Sequence, residues 1–326
     1  MGFKNMPVAE YPKVISELQP DIAISLADLP HTTTTPPAKK LVRMVERTED
    51  WLNELLSTFK TIPGPLPLIF APVLPVERPL QWQYLDHLSE DALPLFSGLA
   101  FYSADLLPEL SHYESLQPLP RLLLQPPSSP FQILRQVSLG ADIITVPFIN
   151  ATSDSGVAFS FSFPPPDPSS SLSSSSELLP LGIDMWSPEH AASLEPLMVG
   201  CRCYACAKHH GAFVHHLLGA KEMLGWTLLQ IHNHHVMGEF FRGVRETLGK
   251  GADAFEEAVD MFGRAYEAEL PKGTGQRPRA RGYHFKGEGG EMPLNQKAWS
   301  KDVEAGPPER DAGVEGAEAG VDSIQV

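Results

Sequence analysis

A chain of 326 residues, 42% of them hydrophobic, can bury a large core in one large domain or two smaller ones. Its 25 basic and 40 acidic residues give a formal net charge of −15, which argues against a strong nonspecific nucleic-acid binder. That balance still allows a nucleic acid to be shared with a more basic partner. The three cysteines are clustered and cannot all pair with one another, which speaks against a disulfide framework. No apolar run reaches the roughly eighteen residues of a membrane span, and the start, MGFKNMPVAEYPKV, lacks the apolar core of a secretory peptide. Met6 stands where myristoylation favours Ser or Thr.

In chain order, residues 8–20 read as a short helix leading into a strand at 21–26, with Asp28 just past its end. Residues 31–37 are a polar loop. Residues 38–60 carry an amphipathic helix, with Leu41, Val42, Val45, Trp51, Leu52, Leu55 and Leu56 opposing Lys39, Lys40, Arg43, Arg47 and Glu49. A strand over 66–74 is expected even though Pro67, Pro72 and Pro75 are awkward inside a sheet. A helix at 78–93, strands at 95–101 and 119–124, a helix at 129–139 and a strand at 141–147 follow, with Ser129-Pro130 as cap and first-turn proline. Such alternation predicts βα units around a parallel sheet, in a closed barrel or an open doubly wound arrangement. No G-x-G-x-x-G or Walker A motif follows any of these strands, which lowers a nucleotide-binding reading.

Residues 164–178 are low-complexity, and 252–270 form an amphipathic helix on Phe255, Val259, Phe262, Ala265 and Tyr266. Lys272, Arg277, Arg279 and Arg281 make a basic stretch that can meet a phosphate backbone, although a solvated loop is the plainer reading. Beyond Val303 the composition predicts a disordered acidic tail.

The chemistry concentrates in Cys201, Cys203 and Cys206, a C-x-C-x2-C cluster followed by seven histidines between 209 and 235. Three thiolates and an imidazole suit a tetrahedral zinc ion. Period-two alternation on a strand would part Cys203 from Cys206, so the cluster reads as a metal knuckle leading into a helix. Apolar recurrence from Gly211 to Leu248 predicts that helix, with Gly219 and Gly225 marking a break near 219–221 or close packing. Spacing leaves His210, His215, His232 and His235 all open as the fourth ligand. The plain alternative is three buried cysteines beside ordinary core and surface histidines.

The cluster and the segments Ala212–Leu218, Glu222–Leu224, Leu228–Asn233 and Phe240–Arg242 closely resemble the tRNA-guanine transglycosylases. These enzymes exchange guanine at the anticodon wobble position for a 7-deazaguanine base. The resemblance covers residues 8–300. It implies a TIM-type (β/α)8 barrel with a zinc-binding subdomain, here apparently lacking its N-terminal strands. It matches Cys201, Cys203, Cys206 and His232 to the zinc ligands. The implied organisation is a partial barrel over 1–163, a low-complexity loop over 164–180, the zinc-binding subdomain and final barrel helices over 181–300, and an acidic tail over 301–326.

The family's nucleophilic aspartate lies in a G-x-D-x-F-D-C-V-x-P-T motif. The matching stretch here is Gly140–Asn150, and Thr145 stands at the nucleophile's place. A threonine with no evident base beside it is a poor substitute. The base-reading aspartate falls near Ala27, so Asp28 serves only if the register slips. The V-Q-G-G loop becomes Val73–Val76, and bulky Phe101 and Tyr102 replace the small residues of the base pocket. The resemblance is therefore to a catalytically silent branch that pairs with the catalytic subunit of queuine tRNA-ribosyltransferase. It implies support for queuine insertion into tRNAs for Asp, Asn, His and Tyr, one structural Zn²⁺ per subunit, a heterodimer with a homodimer as the other option, and tRNA as a partner within the complex. The implied location is cytoplasmic, with room for peripheral association with the mitochondrial outer membrane.

Three alternatives stand beside this reading. An active transglycosylase needs a carboxylate beside Thr145, and Asp142 and Asp154 are the nearest in sequence. A metal-dependent hydrolase needs an open coordination position, which four protein ligands deny. A truncated paralogue without function would also keep the cysteine block. Among single residues, Trp186 and Trp226 read as core, with a dimer-face role open for Trp226. Glu222 and Glu239 read as surface helix residues. Phe240-Phe241-Arg242 reads either as internal packing or as an apolar ridge for a partner.

Overall fold

The computed structural model describes residues 6–30, 34–61, 66–166 and 178–275. Most of the low-complexity stretch, the basic residues Arg277, Arg279 and Arg281, and the acidic tail lie outside these residues.

Five parallel strands form one sheet in the order β1 (Ile22–Ile24), β2 (Leu68–Val73), β3 (Gly98–Phe101), β4 (Arg121–Leu123) and β5 (Ile143–Ile144). Spatial order follows chain order without reversal. That is the winding of a barrel wall; a doubly wound sheet reverses at a switch point. The sheet is a curled, incomplete half-barrel flanked by helices, so the barrel alternative holds and the open doubly wound one does not.

Helix α1 (Tyr11–Leu18) precedes β1, and α2 (Ala38–Phe59), α3 (Arg78–Ser89) and α4 (Pro130–Ser138) cross between strands. The β3–β4 crossover is instead a 3-10 segment over Ala104–His112, with Pro108 inside it. A proline removes the donor that an α-helical turn would use there. Alternate strand residues explain the layering: Ala23, Ile69, Ala71, Val73, Leu99, Phe101 and Leu123 bury against the helices. Phe70, Ala100 and Leu122, one step out of phase, form a separate small layer on the opposite face.

The strands are shorter than expected. Pro72 lies inside β2, opposite Ala100 of β3, and is tolerated for a local reason. Ser25 N–H donates to the Phe70 carbonyl at 3.1 Å, so Phe70 faces β1 and, two residues on, so does Pro72. Paired residues of β1 end at Ile24, opposite Phe70, so the missing N–H of Pro72 has no ladder bond to make. Its carbonyl accepts from the Tyr84 hydroxyl at 2.8 Å. Ser129 and Pro130 sit at the expected first positions of α4, but the Ser129 side chain makes no capping bond. The Gln132 side chain instead reaches back to Ser128 N–H at 2.8 Å.

After β5, helix α5 (Phe148–Asp154) leads to an antiparallel pair, β6 (Val157–Phe159) and β7 (Gly182–Asp184). Helices α6 (Tyr204–Lys208), α7 (Gly211–Gly219), α8 (Met223–Leu248) and α9 (Ala252–Ala265) complete the described part. The expected break falls between α7 and α8, where Lys221 takes a left-handed φ of 58°. Gly225 supplies the close packing, since a Cβ there would stand 3.1 Å from Leu217 Cβ. Helix α9 stops at Ala265, short of the expected 270, and Tyr266 continues in extended conformation.

An aromatic core of Phe159, Phe161, Phe163, Phe240, Phe255 and Phe262 joins β6, α8 and α9. Phe240 is fully buried in it, which removes it from any partner-facing ridge. Trp226 is fully buried too, its indole N–H donating to the Asp154 carbonyl at 3.2 Å, so it belongs to the core and to no dimer face. A Cβ on Gly243 would overlap the Phe163 carbonyl, a backbone atom that cannot swing aside. Gly243→Ala is therefore expected to lower stability by about 1–3 kcal/mol or more, read as a shifted urea midpoint.

Candidate metal centre

The cluster is built from two places far apart in sequence. Cys201 follows a turn in which its N–H donates to the Met198 carbonyl at 3.2 Å. Cys203 is the N-cap of α6, and its Sγ accepts from the Cys206 N–H at 3.3 Å. A helix start thus places two cysteines on one side and offers an N–H to sulfur, which favours the thiolate. His232 comes from the buried face of α8, alongside Leu228, Leu229, Asn233 and Val236.

His232 Nδ1 lies 3.7 Å from Cys201 Sγ, 3.6 Å from Cys203 Sγ and 3.3 Å from Cys206 Sγ. All four donor atoms fall within 4.8 Å of one another. A tetrahedron with zinc–sulfur and zinc–nitrogen bonds of ordinary length has sulfur–nitrogen edges of about 3.6 Å. The arrangement is geometrically suited to hold a metal ion. Of the other histidines left open by spacing, two are engaged elsewhere and the third faces a groove. His210 caps α7 by accepting from Phe213 N–H at 3.2 Å, and His215 Nδ1 lies 2.9 Å from the Met185 carbonyl. His235 lines a neighbouring groove of about 580 Å³ with Arg202, Glu239 and Arg242. Arg242 is paired with Glu239 and Glu246 within α8.

Electrostatics in the cluster favour separated charge. Burial raises the Cys201 thiol. At Cys203 burial also acts upward, but hydrogen bonds from His232 and the Cys206 amide outweigh it and bring the pKa down to about 6. Burial disfavours a charged His232, yet its contacts with the three sulfurs and the Phe159 carbonyl hold its pKa up at about 11. An entering metal must displace these protons, because it binds thiolate and neutral imidazole nitrogen.

The imidazole is held from behind. Nε2 lies 2.8 Å from the Phe159 carbonyl, which can only accept, so Nε2 keeps its proton and Nδ1 is the nitrogen that gives its proton up to a metal. Asn233 is fully buried beside it. Its Oδ1 accepts from Phe159 N–H at 2.8 Å, and its Nδ2 donates to the Val157 carbonyl and to Ser153 Oγ, both at 2.9 Å. Sequence reasoning gave Asn233 no role; the signal was an amide on an otherwise apolar helix face, next to a candidate ligand.

Of the remaining sequence candidates, Thr145, Asp28 and Tyr102 lie past the C-terminal ends of parallel strands, the edge where barrel enzymes place their sites, whereas Phe101 ends β3 and Asp142 precedes β5 at the opposite edge. Thr145 follows β5 and is exposed. The Asp142 carboxylate accepts from Arg121 N–H at 2.8 Å, which ties it to the start of β4. Asp28, past β1, is paired with Arg47 of α2 at 2.5 Å, and its N–H donates to Thr48 Oγ1 at 3.0 Å. Phe101 is buried against the helices, and burial raises the half-buried Tyr102 phenol, with Tyr11 adding to the effect.

A half-barrel of parallel strands joined to a Cys3His knuckle defines a TIM-barrel-type protein with a metal-binding subdomain. A profile of the family described as Queuine tRNA-ribosyltransferase matches residues 2–268, and the chain belongs to that family. Among similar proteins is the queuine tRNA-ribosyltransferase accessory subunit 2 of Schizosaccharomyces pombe. It is 35% identical over 301 residues, covering 91% of this chain and 65% of the relative. Proteins of the same description from Drosophila mojavensis (26% over 265 residues, 76% of this chain and 61% of the relative) and Ixodes scapularis (37% over 116 residues, 35% and 29%) are also similar. The chain spans a little under two thirds of the length of the yeast and fly relatives.

Zinc titrated into metal-free protein is expected to release protons, seen as acidification in weak buffer. Affinity should fall as pH drops below about 11, where His232 holds a proton the metal must displace, and more steeply below about 6, where Cys203 takes up its own. Cys203→Ser is expected to weaken binding by about 100-fold or more, measured by competition with a chromophoric chelator.

Proposed function

We propose that this chain is the non-catalytic subunit of a queuine tRNA-ribosyltransferase complex, and that Cys201, Cys203, Cys206 and His232 hold one structural zinc ion in it. Four protein ligands close a tetrahedral site to substrate, so the metal's contribution is to lock the knuckle onto α8. The similarity to proteins named as accessory subunits supports the reading.

The observation that carries it is Thr145. The family reaction needs a carboxylate that bonds to the ribose C1′ as guanine leaves and then departs as the new base arrives. Position 145 offers a neutral hydroxyl, and the Asp142 and Asp28 side chains are bound to Arg121 and Arg47. The chemistry then belongs to the partner, and this chain supplies a surface for pairing and for tRNA.

Two exposed features beside the metal cluster fit the pairing role. Tyr204 stands out from α6, with His209 stacked on Phe213 at 4.9 Å and 16° behind it. On the outer face of α8, Leu224 and Ile231 are exposed two turns apart, with Met223 beside them. In the same reading the barrel portion extends over 1–163 and the metal-binding portion begins near 181. Among the described residues no helix is long and apolar enough to cross a membrane.

Co-purification with the catalytic subunit, with zinc content and guanine exchange read on each chain and on the mixture, tests the reading. This chain alone should be inert with about one zinc, and the mixture should insert queuine into tRNA. Exchange by this chain alone would overturn the argument from Thr145, and a homodimer that ignores the catalytic subunit would overturn the pairing. A Leu224→Asp/Ile231→Asp double variant should weaken pairing by about tenfold or more while keeping its zinc.

A further inference from the structure

Strand β6 pairs with β7 along one edge only. Met185 N–H donates to the Gly156 carbonyl at 3.0 Å, and Ser160 N–H donates to the Leu181 carbonyl at 3.1 Å. Alternation therefore turns the polar groups of Val157 and Phe159 the other way, toward α8. Of the four groups on that edge, three meet α8: the Val157 carbonyl and both the N–H and carbonyl of Phe159. Two consecutive α8 residues take all three. The Asn233 amide bonds Phe159 N–H and the Val157 carbonyl as a neighbouring strand would, and His232 Nε2–H bonds the Phe159 carbonyl.

We propose that Asn233 is a positioning residue of the metal centre, acting through the Phe159 peptide group. This rests on the reading that the Cys3His cluster holds a metal. The imidazole of His232 has two anchors, the sulfur cluster at Nδ1 and the Phe159 carbonyl at Nε2. The second anchor is only as fixed as the Phe159 peptide, and the Asn233 amide holds that peptide from the same helix one residue on. Ser153, which donates onward to the Ile149 carbonyl at 2.7 Å, anchors the amide in turn. Replacing the amide by an apolar group of the same size leaves Phe159 N–H and the Val157 carbonyl buried without partners. β6 then shifts, the Phe159 carbonyl moves off Nε2, and the ring is free to turn its Nδ1 away from the sulfurs.

The test uses the full chain with Co²⁺ and Zn²⁺ as probes, their affinities read by chelator competition under conditions where circular dichroism shows each variant folded. Asn233→Leu is expected to bind both metals about 10- to 100-fold more weakly than the parent. Val244→Ala, on the same helix but in the aromatic core, should lower the denaturation midpoint and leave metal affinity unchanged. Parent-like affinity in Asn233→Leu overturns the proposal, as does an equal loss in Val244→Ala, which would make the effect one of general stability. Should Asn233→Leu not fold, Ser153→Ala carries the test. It removes the anchor of the amide but not its bonds to β6, and a loss of roughly threefold is expected, with parent-like affinity overturning the proposal. A parent that binds neither metal sinks the zinc reading itself, a result distinct from each of these.

Discussion

Helix α8 has one rotational setting that satisfies everything packed against it. With His232 turned to the sulfurs, Asn233 meets the free edge of β6, Trp226 reaches the Asp154 carbonyl, and Phe240 enters the aromatic core. A turn of the helix by one residue, about 100°, would strand a buried amide and a buried imidazole together. The knuckle, the β6–β7 pair and α9 are each located by contact with this helix, and the metal cluster is where the chain crosses back onto it.

That dependence explains which parts were legible in the residues. The cysteines pointed to a metal site because three soft ligands in six positions have few other uses, and the structure gathers them with His232 in an arrangement suited to one. The histidine did not, because His232 and His235 of the four candidates share one helix and differ there only in phase, and phase is decided by Trp226, Leu229 and Val236 fitting their neighbours. Resemblance to the transglycosylases picked His232 where spacing left four choices open. Alternating strands and helices were readable from periodicity, but strand ends were not, since a ladder ends where its neighbour ends. Ser129-Pro130 shows the same limit on a smaller scale. The proline's position follows from its ring, while the bond that closes the helix start depends on where Gln132 can reach.

The two halves of the described chain have been treated differently by their chemistry. At the metal cluster the His232 imidazole is held at both ring nitrogens and the Asn233 amide at both its oxygen and its nitrogen, and the geometry tolerates little change. At the strand tips the barrel wall persists, with Phe101 buried in it, Tyr102 half-buried just beyond it and the Asp28 carboxylate occupied by Arg47. Burial alone maintains such a wall, whereas a polar group at its rim adds nothing to its packing.

Pro72 has an effect beyond its own strand. Lacking an N–H toward β1, it acts as a stop that keeps the ladder from lengthening, so β1 cannot slide forward by a pair without leaving a carbonyl unanswered. The chain after Ser25 therefore leaves the sheet early and comes under the control of α2, where Thr48 receives the Asp28 amide and Arg47 its carboxylate. A single absent hydrogen in one strand thus helps decide that the only acidic group past the end of the next strand over is turned into a brace for a helix.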